Sequence, residues 1–331
     1  MKSKYTPILL IGVLGFFIAP GLRADGPPPS AAAAVNPPPP PASTDSNIPI
    51  SQEFTAETSY SGGAETKQGS ANIGDVSNIN SHLNYVISPQ ITDGILLRFG
   101  FDAERNSFGL PAQAPLPNTL QSVNAIIGAD FALNDKILLR AELHPGIYSD
   151  FVNVNGNDFD MPVQIGGTYL WNSDFQIIFG LQIDLKSDYP IMGLPGFRWQ
   201  FADKWVLSAI PPRPQLQYQL NNALTLYTGA EILSGTYQLN SNFGIDHGHG
   251  PASDYSDLND NVVDFIEFRV GAGFTWKFTP NLNLDVSGGY MPYRSFDIHP
   301  DDIGFATQNT SFHNDIGNGA PYAEIGIRGS F

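Results

Sequence analysis

Histidine and aspartate stand close together at two places in this sequence, and both residue types bind metal ions. Asp246, His247 and His249 lie within a four-residue stretch, and Asp297 and His299 begin a second acidic segment. Imidazole nitrogen with carboxylate oxygen suits Zn²⁺ or Ni²⁺, and carboxylates alone suit Ca²⁺. The spacing matches no defined metal motif. The candidates are therefore Asp246, His247 and His249, with a solvated acidic loop as the alternative.

His144 and Glu142 are the nearest approach to a catalytic acid–base pair. They are two residues apart, so in an extended strand their side chains share one face. No nucleophile motif accompanies them. We expect a structural pair, no catalytic residue and no cofactor, with an enzyme as the less favoured class.

Composition restricts the remaining chemistry. Only 15% of the 331 residues are charged, against about 25% in soluble domains. The formal net charge is −16, which argues against nucleic acid as a partner because phosphate binding needs clustered Lys and Arg. There is no cysteine, so disulfides and thiolate metal sites are excluded.

The first residues have the pattern of an export signal. Lys2 and Lys4 precede an apolar stretch at 8–19, which is too short to span a bilayer. We expect residues 1–24 to be a cleaved signal peptide. Residues 25–49 are rich in proline and alanine, and predict a disordered, extended linker.

Residues 50–331 alternate between apolar and polar side chains, which predicts an all-β domain. From Ile95 to Glu104, for example, apolar residues lie on one face, and Arg98, Asp102 and Glu104 lie on the other. Stretches of about ten such residues are long enough to cross a membrane at a tilt. We predict one transmembrane antiparallel up-and-down β-barrel over 50–331. A secreted β-sandwich also alternates, but its outer face would be widely charged.

Turn signals set the strand count. Short polar turns near residues 93, 135, 172, 203, 221 and 280 alternate with longer polar segments such as 61–74, 187–194 and 238–261. Short periplasmic turns and long outer loops are typical of such barrels. The count is about fourteen strands. Twelve is the alternative, because Pro211-Pro212-Arg213-Pro214 makes the strands of 197–220 uncertain.

Charged side chains on the polar face are expected to point into the barrel lumen. A charge facing lipid at the bilayer midplane costs about 2–4 kcal/mol, whereas the lumen can hydrate or pair it. These charges either set the selectivity of a water-filled pore or pair with each other in a closed lumen. The predicted lumen-facing residues are Arg98, Asp102, Glu104, Arg140, Glu142, His144, Asp184, Lys186, Arg198, Glu231, Glu267, Arg269, Lys277, Asp285, Glu324 and Arg328.

The last strand carries an assembly signal. Apolar residues alternate with polar ones up to the terminal Phe331, and Tyr322 and Gly326 lie on the opposite face. This ending resembles the C-terminal signal of bacterial outer-membrane proteins that the barrel-assembly machinery reads. It implies that machinery as a partner, contact with outer-membrane lipid, and the outer membrane as the location.

Two further motifs carry a family resemblance. Leu194-Pro195-Gly196 and the corner Pro211-Pro212-Arg213-Pro214, after a proline-rich leader, resemble a family of porin-like bacterial outer-membrane β-barrels of unknown function. The resemblance covers roughly residues 54–331. It implies a fold and a location, and no activity.

These observations favour a passive channel for small hydrophilic solutes or ions. A barrel of about fourteen strands is wider than the eight-stranded barrels that side chains fill. The alternative is a structural or adhesive barrel with a closed lumen and acidic binding loops.

Overall fold

The computed structural model describes residues 49–68, 71–111, 114–244, 258–300, 312–316 and 318–331. The predicted signal peptide and nearly all of the linker lie outside these residues. Among the described residues, no helix is long and apolar enough to cross a membrane.

The described chain is mainly antiparallel β-strand, and it includes a short 3₁₀ helix at Gly156–Asp158. The strands are β1 (Ile50–Gln68), β2 (Ala71–Thr92), β3 (Ile95–Gly109), β4 (Thr119–Asn134), β5 (Ile137–Leu143), β6 (Gly146–Ser149), β7 (Phe159–Asp160), β8 (Val163–Leu170), β9 (Phe175–Ile183), β10 (Ile191–Gly193), β11 (Gly196–Ala202), β12 (Trp205–Ala209), β13 (Gln215–Gln219), β14 (Leu224–Gln238), β15 (Val262–Thr279), β16 (Leu282–His299), β17 (Phe312–Ile316) and β18 (Ala320–Ser330).

These segments form a closed barrel of fourteen strands. The pairs β5 with β6, β10 with β11, and β17 with β18 each continue one strand of the wall, because both members pair with the same neighbour. β7 and β8 continue another strand, because they pair with β6 and β5. Closure comes from β1 and β18, which pair from Glu53 with Ser330 to Ser61 with Tyr322. The predicted barrel and its count of fourteen are confirmed. The twelve-strand alternative is wrong because β11, β12 and β13 pair as separate strands.

The end of the barrel that carries Ile50 and Ser330 is called the base here, and the opposite end the top. Tight turns join the strands at the base. The four tryptophans Trp171, Trp199, Trp205 and Trp276 are exposed on strands or turns near the base, where an aromatic girdle would meet a membrane interface.

Strands near the barrel closure run further toward the top than the sequence predicts. In the segment 61–74, predicted to be a loop, residues 61–68 belong to β1 and residues 71–74 belong to β2. These strands have 19 and 22 residues. The polar composition of this segment misled the prediction, because both strands continue past the apolar part of the outer wall and carry polar residues there.

Strands β12 and β13 are much shorter, with five residues each. Their turn, residues 210–214, therefore lies partway up the wall. The backbone N–H groups of Ala230 and Ile232 in β14 donate to Pro214 and Pro212 of this turn, each at 3.0 Å. Above Ile232, β14 no longer pairs with β13 or its turn.

The upper part of β14 bends across the barrel to β6. Gln238 and Ser149 form a parallel bridge, and the Asp150 N–H donates to the Gln238 carbonyl at 3.1 Å. The Asp150 carboxylate accepts the backbone and side-chain N–H groups of Asn240 at 3.1 and 2.7 Å. These pairings close a second, smaller ring at the top, formed by β1, β2, β3, β4, β6, β14, β15, β16 and β17.

An apolar core fills this upper ring and is called the plug here. Phe108, Phe265 and Phe296 form its centre, with ring centroids 5.0 to 5.4 Å apart. Each buried Phe contributes about 1.5–3 kcal/mol. The plug consists of Val76, Phe108, Ala114, Leu116, Leu120, Tyr148, Leu233, Tyr237, Leu239, Phe243, Leu258, Val263, Phe265, Phe296 and Ile298.

Candidate functional site

Beneath the plug, the inner face of the barrel is polar and charged, and this layer is the candidate site. Alternation along each strand places these side chains inside, since successive side chains point to opposite faces. Their apolar neighbours on the outer face stay exposed; Phe99 and Phe101 beside Arg98, for instance, are 48% and 43% exposed.

Directly under the plug, Glu267 on β15 is completely buried between two arginines. Its carboxylate accepts from Arg269 and from Arg294 on β16, each at 2.6 Å, and from the Ser61 hydroxyl at 2.7 Å. Both guanidinium groups are also fully buried. Arg269 lies 3.4 Å from Glu324 as well. Full pairing of this kind offsets the desolvation cost of the charges.

Arg213 comes from the proline-flanked turn 210–214 and joins strands on both sides of the barrel closure. Its guanidinium donates to Glu57 of β1 at 2.5 Å and lies 3.4 Å from Glu324 of β18. It also pairs with Glu231 of β14. Arg328 donates to the same Glu57 at 2.8 Å. Because of these contacts, the turn is tied into the lumen.

A second group of charges lies on the far side of the lumen, on β3, β4 and β5. Arg98 pairs with Glu142, and Arg140 makes two hydrogen bonds of 2.6 and 2.7 Å with Asp130. Arg98 also lies 3.4 Å from Glu53 on β1. This group links four strands near the base.

Amides and a histidine extend the polar layer between these groups. His82 lies 2.7 Å from Asp102, and the Asn80 side chain donates to Glu104 at 2.8 Å. His144 lies 3.5 Å from Glu142 and close to Asn124. The His144 backbone carbonyl accepts from Tyr148 of the plug at 2.7 Å, which connects the two layers.

Toward the base, the inner face becomes more accessible. Arg198, Gln215, Gln217 and Thr225 are partly exposed, in contrast to the buried charges above them. A cleft beside Arg213 is lined by Gln215, Tyr227, Glu231, Ser287, Tyr322 and Glu324. The inner face is therefore more exposed toward the base, a region called the vestibule here, and is filled by the plug toward the top.

The structure brings together most of the predicted lumen residues in this layer. Arg140, Arg198 and Arg328 are partly exposed, and Lys277 is exposed at the base end of β15. The buried ones are Arg98, Asp102, Glu104, Glu142, His144, Glu231, Glu267, Arg269, Asp285 and Glu324.

Asp184 and Lys186 lie beyond the end of β9, in a turn. Strand β9 ends at Ile183, and the Asp184 carboxylate accepts the Lys186 N–H at 3.1 Å in a turn. Lys186 then reaches Gln238 at 3.2 Å, at the top of β14. The alternation that continued through these residues suggested a longer strand, but the turn ends it.

Several site residues escaped sequence reasoning. Glu53, Glu57, Arg213 and Arg294 all pair within the lumen. For Arg213 a signal exists, because a lone charge held between prolines in a short corner has a fixed direction. The predicted metal candidates Asp246, His247 and His249 lie outside the described residues.

The C-terminal residues close the barrel. Tyr322 and Gly326 are on the inner face of β18, whereas Phe331 is 56% exposed and stacks on Phe54 with centroids 6.3 Å apart. The backbone of Phe331 exchanges two hydrogen bonds of 2.9 Å with Gln52.

These features define a closed antiparallel barrel with a polar inner face beneath an apolar plug. The family model of DUF6268, a domain of unknown function, matches residues 106–329. The chain therefore belongs to this family, which confirms the predicted resemblance.

Solved barrels are similar over most of the chain at low identity. The COG4313 outer-membrane channel from Pseudomonas putida F1 is 11% identical, with 88% of this chain and 99% of that chain covered and a TM-score of 0.46. The NanC porin is 10% identical, with 83% and 98% covered and a TM-score of 0.36. The KdgM porin is 9% identical, with 85% and 99% covered and a TM-score of 0.31. No curated protein matches the chain.

Proposed function

We propose that this protein is an outer-membrane channel for small hydrophilic solutes or ions, held closed by the plug. In this arrangement the base faces the periplasm and the top faces the outside. Solutes enter the vestibule from the base, and passage requires the plug to move. The outer surface contacts lipid, and the barrel-assembly machinery inserts the chain.

One observation carries the proposal: the inner face changes from polar and accessible at the base to apolar and sealed at the top. Gln215 and Gln217 are partly exposed, whereas Leu116 and Phe243 of the plug are fully buried. A vestibule open at one end is expected of a gated passage.

Part of the plug belongs to loops, which makes movement physically reasonable. Leu116 lies in the loop before β4, and Phe243 follows β14. Loop segments open locally at lower free-energy cost than strands in a sheet. The strand residues of the plug would stay in place while these segments withdraw.

A closed structural barrel is the second candidate, and the extensive ion pairing favours it. Glu267 and its two arginine partners are completely buried, as expected of a lumen that never conducts. The two candidates differ in what happens when the plug is loosened.

Single-channel recording in a planar bilayer separates them. We expect the refolded barrel to be closed most of the time, with rare openings. Leu116→Ser with Phe243→Ser should raise the open fraction at least tenfold, because buried hydroxyls weaken the apolar seal. The matched control is Leu133→Ser with Phe159→Ser, which changes the same residue types at positions that are 60% and 51% exposed.

Folding of each variant is checked by gel electrophoresis, because heating unfolds the barrel and changes its electrophoretic mobility. Asp150→Ala is a second route, since it removes the carboxylate that ties β14 to β6 and leaves the plug itself intact. If Asp150→Ala and the double serine variant both fold and neither shows channel openings, the channel is refuted and the structural barrel is supported.

A further inference from the structure

Three potential metal ligands from three separate elements meet at the top of the barrel, outside the lumen. Asp264 is on the outer face of β15, His299 ends β16, and Asp188 lies in the loop between β9 and β10. One nitrogen or oxygen atom from each lies within 4.8 Å of the other two. Asp264 is completely buried and His299 is 6% exposed.

The loop between β9 and β10, residues 184–190, positions this cluster. It crosses above the short strands β12 and β13 to reach the outer face of β14 and β15. The Ser187 hydroxyl and the Asp188 N–H both donate to Asp264 Oδ2, at 3.2 and 3.1 Å. Thr236 of β14 donates to Oδ1 at 2.6 Å. The carboxylate of Asp264 is therefore rigidly held.

The hydrogen bonding of His299 leaves one ring nitrogen for another ligand. Nδ1 lies 3.1 Å from the Pro300 carbonyl, which can only accept, so Nδ1 carries the proton. Nε2 has no hydrogen-bond partner although it is buried, and it lies 3.4 Å from Asp264 Oδ2. A backbone carbonyl on the other ring nitrogen is the usual arrangement for a metal-binding histidine.

Nε2 and the Asp264 carboxylate stay 3.4 Å apart with a positive charge between them, which is either a second imidazole proton or a metal ion. Ligands around a tetrahedral ion with bonds of about 2.0–2.2 Å are themselves roughly 3.3–3.6 Å apart. The Nε2 to Oδ2 distance of 3.4 Å fits that separation. Asp188, whose side chain is 29% exposed and whose Oδ1 lies 3.5 Å from His299 Nδ1, offers a third ligand oxygen from the solvent side.

We propose that Asp188, Asp264 and His299 bind a divalent transition-metal ion of the Zn²⁺ class. One imidazole nitrogen with two carboxylates suits such an ion better than Ca²⁺, which prefers oxygen ligands throughout. Water completes the coordination. The ion fastens the loop 184–190 to β15 and β16, and so holds the wall together above the short strands. This site is independent of the proposed channel activity.

Metal binding is measured on the refolded chain with Zn²⁺ by titration calorimetry, and with Co²⁺ by visible absorption. We expect about one ion per chain and the intense absorption of tetrahedral Co²⁺. His299→Gln and Asp188→Asn should each weaken binding at least tenfold. Asp188→Asn keeps the backbone N–H that bonds to Asp264, so this variant separates ligation from folding.

The control is His247→Gln with His249→Gln, which removes the histidines of the other acidic segment and should leave the stoichiometry at His299 unchanged. Binding that survives His299→Gln but disappears in this control would overturn the proposal. Absence of saturable binding to the folded wild type, with an imidazolium signal from His299 by NMR at neutral pH, would also overturn it. A proton would then hold the cluster.

Discussion

Among single residues, Arg269 shows most clearly how the lumen tolerates buried charge. Its guanidinium is fully buried and pairs with Glu267 at 2.6 Å, with Glu324 at 3.4 Å and with Glu231 at 3.5 Å. Replacing Arg269 removes positive charge from beside the carboxylates of these three glutamates. Breaking a buried pair in this way costs about 3–5 kcal/mol.

Arg269→Ala should therefore lower the free energy of unfolding by about 3–5 kcal/mol. Urea titration of the barrel in vesicles, followed by tryptophan fluorescence, measures the change. The control is Arg105→Ala, because Arg105 is exposed on the outer face of β3. A loss for Arg269→Ala no larger than that for Arg105→Ala would contradict the account of the charged layer.

The predicted role of Phe331 in assembly also rests on a single side chain. Phe331→Ala removes the ring and should reduce the amount of folded barrel in the outer membrane of cells several-fold. Refolding of the purified variant in detergent should stay nearly normal. Phe179→Ala is the control, since Phe179 is an outward-facing Phe of similar exposure, 47%. Equal losses in both variants would argue against a specific signal in Phe331.

At the scale of elements, alternation predicted the β-strands well and failed where pairing is decided by distant segments. The bridge between Ser149 and Gln238 joins residues far apart in sequence, and no local pattern shows it. A partial signal was present in β15, where Val262, Val263, Phe265 and Ile266 are apolar on both faces. Such a run predicts burial on both sides, as the plug and the loop 184–190 provide.

The bridge between β6 and β14 can be tested by a cross-link in this cysteine-free chain. Ser149→Cys with Gln238→Cys should form a disulfide, because bridged residues are within the Cα separation that the bond requires. Oxidation should abolish the rare openings, and reduction should restore them. Unchanged openings in a fully oxidised sample would show that this junction does not limit opening.

The close contact between β15 and β16 offers a second element-scale test. A Cβ on Gly289 would lie 2.1 Å from the Val270 carbonyl oxygen, beside the register shift between these strands. Gly289→Ala should destabilise the barrel by about 1–3 kcal/mol, measured by urea titration. Gly193→Ala is the control, because a Cβ there meets nothing within 4 Å; an equal effect would refute the steric explanation.

For the whole molecule, the charge balance predicts ion preference once the passage is open. The chain carries 32 acidic and 16 basic residues, and excess negative charge concentrates cations near an opening. The variant Leu116→Ser with Phe243→Ser should prefer cations in a salt gradient, and high salt should weaken the preference. A reversal potential of the opposite sign would contradict this expectation.

The sequence alone could predict the barrel, its strand count and the polar inner face, because these follow from local alternation. It could not predict the upper ring or the closed top, because both depend on how β14 bends after the short strands β12 and β13. The expectation of a wide pore rested on the number of strands. All fourteen strands form the wall only in the lower part of the barrel, and fewer strands form the upper ring.

The central claim is that the lumen is open at the base and sealed at the top. The most direct test places a cysteine in the vestibule by Gln217→Cys and labels it with a membrane-impermeant maleimide. We expect no labelling from outside intact cells, and labelling once the periplasm is made accessible. Adding Leu116→Ser and Phe243→Ser should permit labelling from outside. Rapid labelling of the single variant in intact cells would contradict the claim.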